Sequence, residues 1–139
     1  MAEYEHVLRA LAQNGASVLF CEECEHGVGK SIAEIVADSL GHPYQNIDMS
    51  VDERAKRGIP LDYAAYPDDM SCYPPEQIRS WHAEREAYML DMIEEVVAAL
   101  RPDSPAQLIV ICGSLHLESL ADALESRLNT PVRRTKLNS

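Results

Sequence analysis

Two short apolar runs, set far apart along the chain, constrain the fold more strongly than any other feature of this sequence. Residues 17–21 read SVLFC and residues 108–112 read LIVIC. Short runs of this kind are typical of strands that are buried on both faces, as in a parallel sheet covered by helices. A weaker run at 44–49 predicts a further strand between them.

Around these strands, apolar residues recur with the spacing of amphipathic helices. The predicted helices cover about 3–13, 28–40, 76–100 and 117–128, with a capped helical turn at 50–58 and a final edge strand at 130–134. Strands that alternate with helices pair in parallel through right-handed crossovers. The sequence therefore predicts a small three-layer α/β/α domain, Rossmann-like or flavodoxin-like, with a mainly parallel sheet of three or four strands.

Length and composition fit one globular domain spanning 1–139. The chain has 139 residues, of which 46% are hydrophobic and 25% charged, and single domains of this size are common. The least regular segment, 57–75, is rich in proline, aspartate and tyrosine. Because long loops in small domains often carry function, we expect this segment to act as a lid over a site.

Charge narrows the classes of partner. Lys and Arg number 12 against 23 Asp and Glu, a formal net charge of −11. Such a surface repels phosphate backbones and anionic lipids, so we expect neither nucleic-acid nor membrane binding. The N-terminus shows no signal-peptide pattern, and no run reaches the ~18–20 apolar residues that cross a bilayer. We therefore expect a cytoplasmic protein with reduced cysteines. The partners that remain compatible with this charge are a small-molecule or peptide ligand and a second copy of the chain in a homo-oligomer.

In parallel α/β sheets, ligands bind beyond the carboxyl ends of the strands, so the residues after each strand are candidates for a site. Glu22, Glu23 and His26 follow the first strand. Carboxylates and imidazoles hold divalent cations such as Zn, Mn or Fe, and they also serve as general acids and bases. The competing interpretation is that these acids face solvent or stabilise the N-terminus of the next helix.

The other two strands supply further candidates. Asp48 ends the second strand, and Gly113 closes the third with a residue that allows a sharp turn. His116 then begins the last helix at the same edge of the sheet, where it serves as a ligand or an acid–base group unless it only hydrogen-bonds a carbonyl. Glu23, His26 and His116 form the candidate metal set, and Asp48, His82 and Gly113 are candidate substrate-binding residues.

The long helix places a cation on its apolar face. Arg85 falls in the middle of this face with His82 beside it, and the apolar residues at helical spacing are Ile78, Trp81, Met89, Met92 and Val96. A buried cation needs a carboxylate or an anionic ligand. We expect the partner to be Glu22, Glu23 or Asp48; the alternative is a guanidinium that reaches solvent along the helix.

Basic residues are otherwise scarce near the predicted sheet edge. Arg54 and Arg57 lie one helical turn apart after the second strand and are the densest basic group of the chain. They are candidates for binding an anionic group of a substrate. A solvated helical turn is the alternative.

Two short motifs suggest other functions. Residues 24–31, CEHGVGKS, end like the phosphate-binding loop G-x-x-x-x-G-K-[ST] between a strand and a helix, but the first glycine is Cys24 and acidic residues surround it. A nucleotide-binding module using Gly27–Ser31 is therefore one alternative. Cys21 and Cys24 form a CxxC pair, but redox or zinc chemistry is disfavoured because Cys21 belongs to the strand and no second pair exists.

Several segments resemble a group of small bacterial proteins that are similar to the TraB/Tiki, ChaN and erythromycin-esterase-like superfamily. They are Glu22-Glu23, the Asp48…Arg54…Gly58-Ile59 segment, 85–89 (REAYM) and 111–116 (ICGSLH). That superfamily has an α/β core with an early glutamate, an arginine-bearing helix and a late Gly-x-x-His. By this resemblance, Glu22 or Glu23 is the early acid, Arg85 the helix arginine, and Gly113-x-x-His116 the last element.

The resemblance implies a site more firmly than a reaction. Tiki-like members are metal-dependent peptidases, the esterase members hydrolyse a macrolide ring, and ChaN-like members bind haem. This chain is shorter than most members and lacks their early Gly-x-x-His, with His26 after the acids instead.

The resulting prediction is a hydrolase-like protein, with assistance by a divalent metal left open. Glu22 and Glu23 act as base or ligands, His116 as ligand or acid–base group, and Arg85 orients a carboxylate or binds substrate. The third alternative is a non-enzymatic interaction domain that presents an exposed loop with Tyr63, Tyr66 and Tyr73.

Overall fold

The computed structural model describes residues 2–12, 17–24, 29–63, 72–99, 106–113, 116–129 and 132–135. Helices and strands alternate along the described chain in the order α1 (Ala2–Ala12), β1 (Ser17–Glu22), α2 (Ile32–Leu40), β2 (Tyr44–Asn46), α3 (Val51–Arg57), α4 (Pro75–Ala98), β3 (Ala106–Ile111) and α5 (Leu117–Leu128). The strands form one parallel sheet in the order β2-β1-β3. The predicted α/β class is therefore confirmed, with three strands in the part of the chain that the structure describes.

β1 is the central strand and is covered on both faces. Phe20 is paired with Tyr44 of β2 and with Ile109 of β3. Val18, Leu19, Phe20 and Cys21 are all buried, because alternate side chains point into the two helix layers. This double burial explains why the strand sequence is continuously apolar rather than alternating.

The two helix layers contribute separate apolar cores. On one face of the sheet, α1 and α2 pack against β1 and Ile109 through Leu8, Ala12, Val18, Phe20, Ala33, Val36 and Ala37. On the other face, α4 and α5 pack against β1 through Leu19, Cys21, Ile47, Met89, Leu90, Ile93, Leu120 and Leu124. The three-layer arrangement follows from these contacts.

A third apolar cluster lies where the chain runs from β2 to α4. Met49, Ile59, Tyr63 and Ile78 form its buried part, with Tyr73, Trp81 and Tyr88 packed against them. The short helix α3 within this stretch begins at Ser50, whose side chain accepts a hydrogen bond from the Glu53 N–H, and ends at Gly58 with φ of 70°, as its capping spacing predicts. Residues 64–71 of the predicted lid lie outside the described residues.

Two predicted strand boundaries are wrong. The strand predicted over 44–49 ends at Asn46, because the Asn46 side chain accepts from the Cys24 and Asp48 N–H groups and turns the chain. No strand forms over residues 132–134 of the predicted edge strand 130–134, and the Val132 N–H instead donates to the Glu125 carboxylate. Residues 130 and 131 lie outside the described residues.

None of the helices described for this chain combines the length and apolar character that a membrane span requires.

Candidate functional site

Each strand is followed, within two residues, by a residue that lies at the same edge of the sheet. Glu23 follows β1, Gly113 lies two residues past the end of β3, and Asp48 lies two residues past the end of β2. Because the strands are parallel, their carboxyl ends meet at one edge. We call the polar group gathered there the carboxyl-edge cluster; its members are Glu23, Asp48, Arg54, Tyr63, His82, Arg85, Glu86, Gly113 and His116.

Arg85 lies at the centre of this cluster. Its side chain comes from α4 and is only 7% exposed. Nη2 donates to Glu23 Oε2 at 2.7 Å and to Asp48 Oδ2 at 3.0 Å, and Nη1 donates to the Tyr63 hydroxyl at 3.0 Å. Burial by itself lowers the pKa of Arg85, but the Tyr63 hydrogen bond and the Asp48 and Glu23 charges outweigh it and raise that pKa. The predicted carboxylate partners are thus Glu23 and Asp48, and Glu22 is not among the contacts described for Arg85.

Asp48 joins two arginines. It is buried, and its Oδ1 accepts from the Met49 N–H at 2.8 Å and from Arg85 Nη2 at 3.1 Å. Its Oδ2 accepts from Arg54 Nη2 at 2.8 Å. The predicted substrate-binding residues Asp48 and Arg54 are therefore in direct contact.

His116 lies between two carboxylates. Its ring is 4% exposed, with Nε2 at 3.4 Å from Glu23 Oε2 and Nδ1 at 3.6 Å from Glu86 Oε1. Glu23 is held from its other side by the Gly113 N–H, which donates to Oε1 at 2.8 Å. Ser119 donates its hydroxyl to Glu86. A carboxylate oxygen therefore lies near each ring nitrogen, at more than the usual hydrogen-bond distance.

His82 connects to the cluster through Tyr63. The Tyr63 hydroxyl accepts from Arg85, so its own hydrogen is available for His82 Nδ1, 3.1 Å away. The His82 ring meets that of His116 edge to face at 5.1 Å. Burial first, and then the charges of His116 and Arg85, lower the pKa of His82. Burial raises the pKa of Tyr63, although Arg85 opposes this.

Glu22 lies on the opposite side of the sheet from Glu23, because successive residues at a strand end point to opposite faces. Its Oε1 accepts from the Ser31 hydroxyl and from the Tyr44 hydroxyl, both at 2.5 Å. Burial and the hydrogen bond to Glu22 raise the pKa of Tyr44. The structure therefore separates Glu22 from Arg85 and His116, with which the sequence grouped it.

Arg57 also lies apart from the cluster. It is exposed, it pairs with Glu53 at 2.9 Å and with Glu84 at 3.3 Å, and its guanidinium lies over the Tyr88 ring. This is the solvated helical turn that was the alternative interpretation of the Arg54–Arg57 pair.

The described part of the phosphate-loop motif is engaged with protein groups. Lys30 pairs with Asp38 at 2.6 Å on the surface, and the Ser31 hydroxyl accepts from the Glu34 N–H and donates to Glu22. Gly27 and His26 lie outside the described residues. The contacts of Lys30 and Ser31 therefore give no support to the nucleotide-binding alternative.

Two further groups of residues bear on metal chemistry. Within the described ranges, no set of three or more His, Cys, Asp and Glu side chains is placed to hold a metal ion. Both oxygens of Glu23, the candidate ligand in those ranges that accompanies His116, already accept from Arg85 and Gly113. All four cysteines are free thiols; burial raises the pKa of Cys21 to about 12 and that of Cys112 to about 11.

Sequence reasoning missed two members of the cluster. Glu86 follows Arg85 directly and lies four residues after His82, so helical spacing already places it on the His82 side of α4. Tyr63 gave no such signal. The prediction that Tyr63 is exposed is wrong, since it is 1% exposed; Tyr73 is half-buried and donates to Asp62, and Tyr66 lies outside the described residues.

Three comparisons with known proteins give the same result. No family model, no curated protein and no solved structure matches the chain.

Proposed function

We propose that this chain is a hydrolase-like enzyme that works through the carboxyl-edge cluster. The observation that carries the proposal is His116, whose two ring nitrogens lie 3.4 Å from Glu23 and 3.6 Å from Glu86. A histidine whose ring is oriented by carboxylates is the usual arrangement for general acid–base catalysis. The resemblance of Gly113-x-x-His116 and Arg85 to the TraB/Tiki, ChaN and erythromycin-esterase-like superfamily supports a functional site at these residues.

Each residue has a distinct role in the proposed reaction. His116 removes a proton from water, the water oxygen attacks a carbonyl carbon, and the proton returns to the leaving oxygen or nitrogen as that bond breaks. Glu86 faces Nδ1, so Nε2 is the nitrogen that accepts the proton from water, and the charges of Glu23 and Glu86 stabilise the protonated ring during the transfer. Arg85 positions Glu23 and Asp48, because its guanidinium bridges both carboxylates. Water reaches the cluster beside Gly113, which is exposed, and Glu23, whose side chain is 12% exposed.

Hydrolysis of a panel of 4-nitrophenyl esters and anilides tests the proposal. We expect kcat/KM to fall by about 10²–10⁴ in His116→Asn, with little change in the melting temperature. The matched control is His42→Asn, because His42 stacks on Phe20 in the core on the other face of the sheet. Equal rates in the two variants, or no turnover by the wild type across the panel, contradict the proposal.

Two additional measurements define how the proposed reaction proceeds. Glu86→Gln keeps a hydrogen-bonding group beside His116 but removes its charge, so we expect a shifted pH profile of kcat/KM rather than complete loss. Measuring the rate after exhaustive chelation, and again after adding back Zn, Mn or Fe, separates a metal-assisted reaction from a metal-independent one.

A further inference from the structure

Arg54 has a hydrogen-bond donor that the protein does not use. Its side chain is 14% exposed, and Nη2 donates to Asp48 Oδ2 at 2.8 Å. Its Nε is buried without a hydrogen-bond partner, and no other buried side-chain nitrogen or oxygen in the described ranges is in this condition. A buried donor on a charged group is costly to leave unsatisfied, so an unused one indicates a group that joins it.

Asp48 does not supply the missing acceptor. Its two oxygens also accept from Arg85 and from the Met49 N–H. Two guanidinium groups therefore draw on one carboxylate. Arg85 has Glu23 as a second carboxylate, whereas the ion pair described for Arg54 is with Asp48. Among the described contacts, Arg54 is thus ion-paired with one carboxylate and Arg85 with two.

We infer that Arg54 binds a carboxylate group of the substrate, which names the substrate class for the hydrolytic site and rests on that proposed function. A carboxylate is planar and offers two oxygens, which matches the donors of a guanidinium. Asp48 and Arg85 connect Arg54 to Glu23 and His116. A substrate anchored at Arg54 would thus extend along the cluster and place its scissile bond at His116.

The surrounding charge favours a carboxylate over a phosphate. Asp48 lies in contact with Arg54, Glu23 lies one arginine further on, and the chain as a whole carries −11. A dianion would meet stronger repulsion from these groups than a monoanion of similar size. We therefore expect Arg54 to prefer a carboxylate over a phosphate, and the experiment below compares the two anions.

Titration of the full chain with sodium acetate, against sodium chloride at equal ionic strength, tests this site without any hydrolysis. Amide chemical shifts and the melting temperature report binding. We expect saturable acetate binding that is at least tenfold weaker in Arg54→Gln and in Arg54→Lys. Arg54→Lys keeps a cation beside Asp48 and so protects the fold, but it lacks the planar set of donors.

The matched control is Lys56→Gln, which removes one positive charge from an exposed position of the same helix, and we expect it to bind acetate like the wild type. Binding by Arg54→Lys equal to that of the wild type, absence of saturable binding by the wild type, or a preference for inorganic phosphate over acetate overturns the inference.

His116→Asn separates this inference from the proposed function. We expect this variant to lose ester hydrolysis and to bind acetate normally. A wild type that binds acetate at Arg54 but hydrolyses nothing contradicts the proposed reaction alone. Hydrolysis that depends on His116, with no acetate binding, contradicts the carboxylate site alone.

Discussion

Glu22 and Glu23 are neighbours in the chain, yet they lie in two different surroundings. Glu22 faces the α2 side of the sheet, where its contacts are the neutral hydroxyls of Ser31 and Tyr44. Glu23 faces the α4 side, where it contacts the cation of Arg85, the N–H of Gly113 and the ring of His116. One strand end therefore presents a carboxylate in a neutral pocket and a second carboxylate in a charged network.

Glu22 and Glu23 depend on different kinds of partner. Glu23 is ion-paired with Arg85, and breaking an ion pair away from solvent leaves a charge without its partner, which is strongly destabilising. Glu23 belongs to a network in which removal of one member leaves others unpaired. Glu22 has donors that serve an amide oxygen as well as a carboxylate oxygen.

The largest effect is expected from Arg85→Met. This change keeps an apolar stem in α4 but leaves Glu23 and the buried Asp48 without their shared cation. We expect the free energy of unfolding to fall by about 3–5 kcal/mol, measured by urea denaturation at neutral pH. Arg127→Met is the matched control: Arg127 pairs with Asp91 and Glu94 on the surface, where such pairs contribute roughly 0–1 kcal/mol. Equal losses in the two variants would show that the network has no special weight.

Glu23→Gln and Glu22→Gln test whether the two carboxylates contribute differently to stability. Glu23→Gln removes the charge that faces Arg85, and we expect a loss of about 1.5–3 kcal/mol. Glu22→Gln retains a carbonyl oxygen for the Ser31 and Tyr44 hydroxyls, and we expect a loss of about 0.5–1.5 kcal/mol. Both are measured by the same urea denaturation. A larger loss in Glu22→Gln would reverse the assignment of charged and neutral surroundings.

The sequence predicted the elements and many of the groups in the cluster, for physical reasons that are local. The runs at 17–21 and 108–112 predicted buried strands, and Gly41 and Gly58 do end α2 and α3 in left-handed conformations. The need of a buried cation for a carboxylate predicted Glu22, Glu23 or Asp48 as the partner of Arg85, and Glu23 and Asp48 are the ones that contact it. The first two inferences use residues within one element, and the third uses the general rule that the carboxyl ends of parallel strands meet at one edge.

What the sequence could not give depends on long-range packing. A strand that is apolar on both faces has no alternation, so the run 17–21 does not reveal whether Glu22 or Glu23 faces α4. The burial of Tyr63 depends on Met49, Ile59 and Ile78, which other segments bring to it. The predicted strand past Asn46 failed because one side chain, bonded across to Cys24, turns the chain.

A smaller effect, on the pH dependence of stability, is expected from His82, which lies in the same cluster as Glu23. Its pKa is lowered in the folded protein by burial and by the nearby His116 and Arg85 charges, so the unfolded chain takes up the proton more readily. The associated stability is present above the ordinary histidine pKa and is lost as the pH falls below it. We expect unfolding midpoints between pH 7.5 and 5.5 to fall more steeply in the wild type than in His82→Asn, whose amide oxygen still accepts from Tyr63. Parallel slopes would contradict this.

The smallest expected effect is on the pKa values of two cysteine thiols, each of which is raised by one of the two carboxylates. The pKa of Cys112 is raised by burial and by the Glu23 and Glu86 charges, and that of Cys24 is raised by burial and by the Glu22 charge. We expect Glu23→Gln to lower the pKa of Cys112 and speed its alkylation at pH 8, and Glu22→Gln to do so for Cys24. Mass spectrometry of each labelled cysteine measures the rates, with exposed Cys72 as the internal reference. A change at the other thiol in either variant would show that the two surroundings are not separate.

The hydrogen bond from Gly113 to Glu23 joins residues 90 positions apart, and this distance has a consequence for how the chain folds. β1 can pair with β2 soon after both are synthesised, but its second edge stays open until β3 arrives. At ribosomal rates of ~5–20 residues per second that interval lasts roughly 5–18 s. Throughout it, an apolar strand edge is available for association with other chains, so protection by a chaperone has its greatest value between the synthesis of β1 and that of β3.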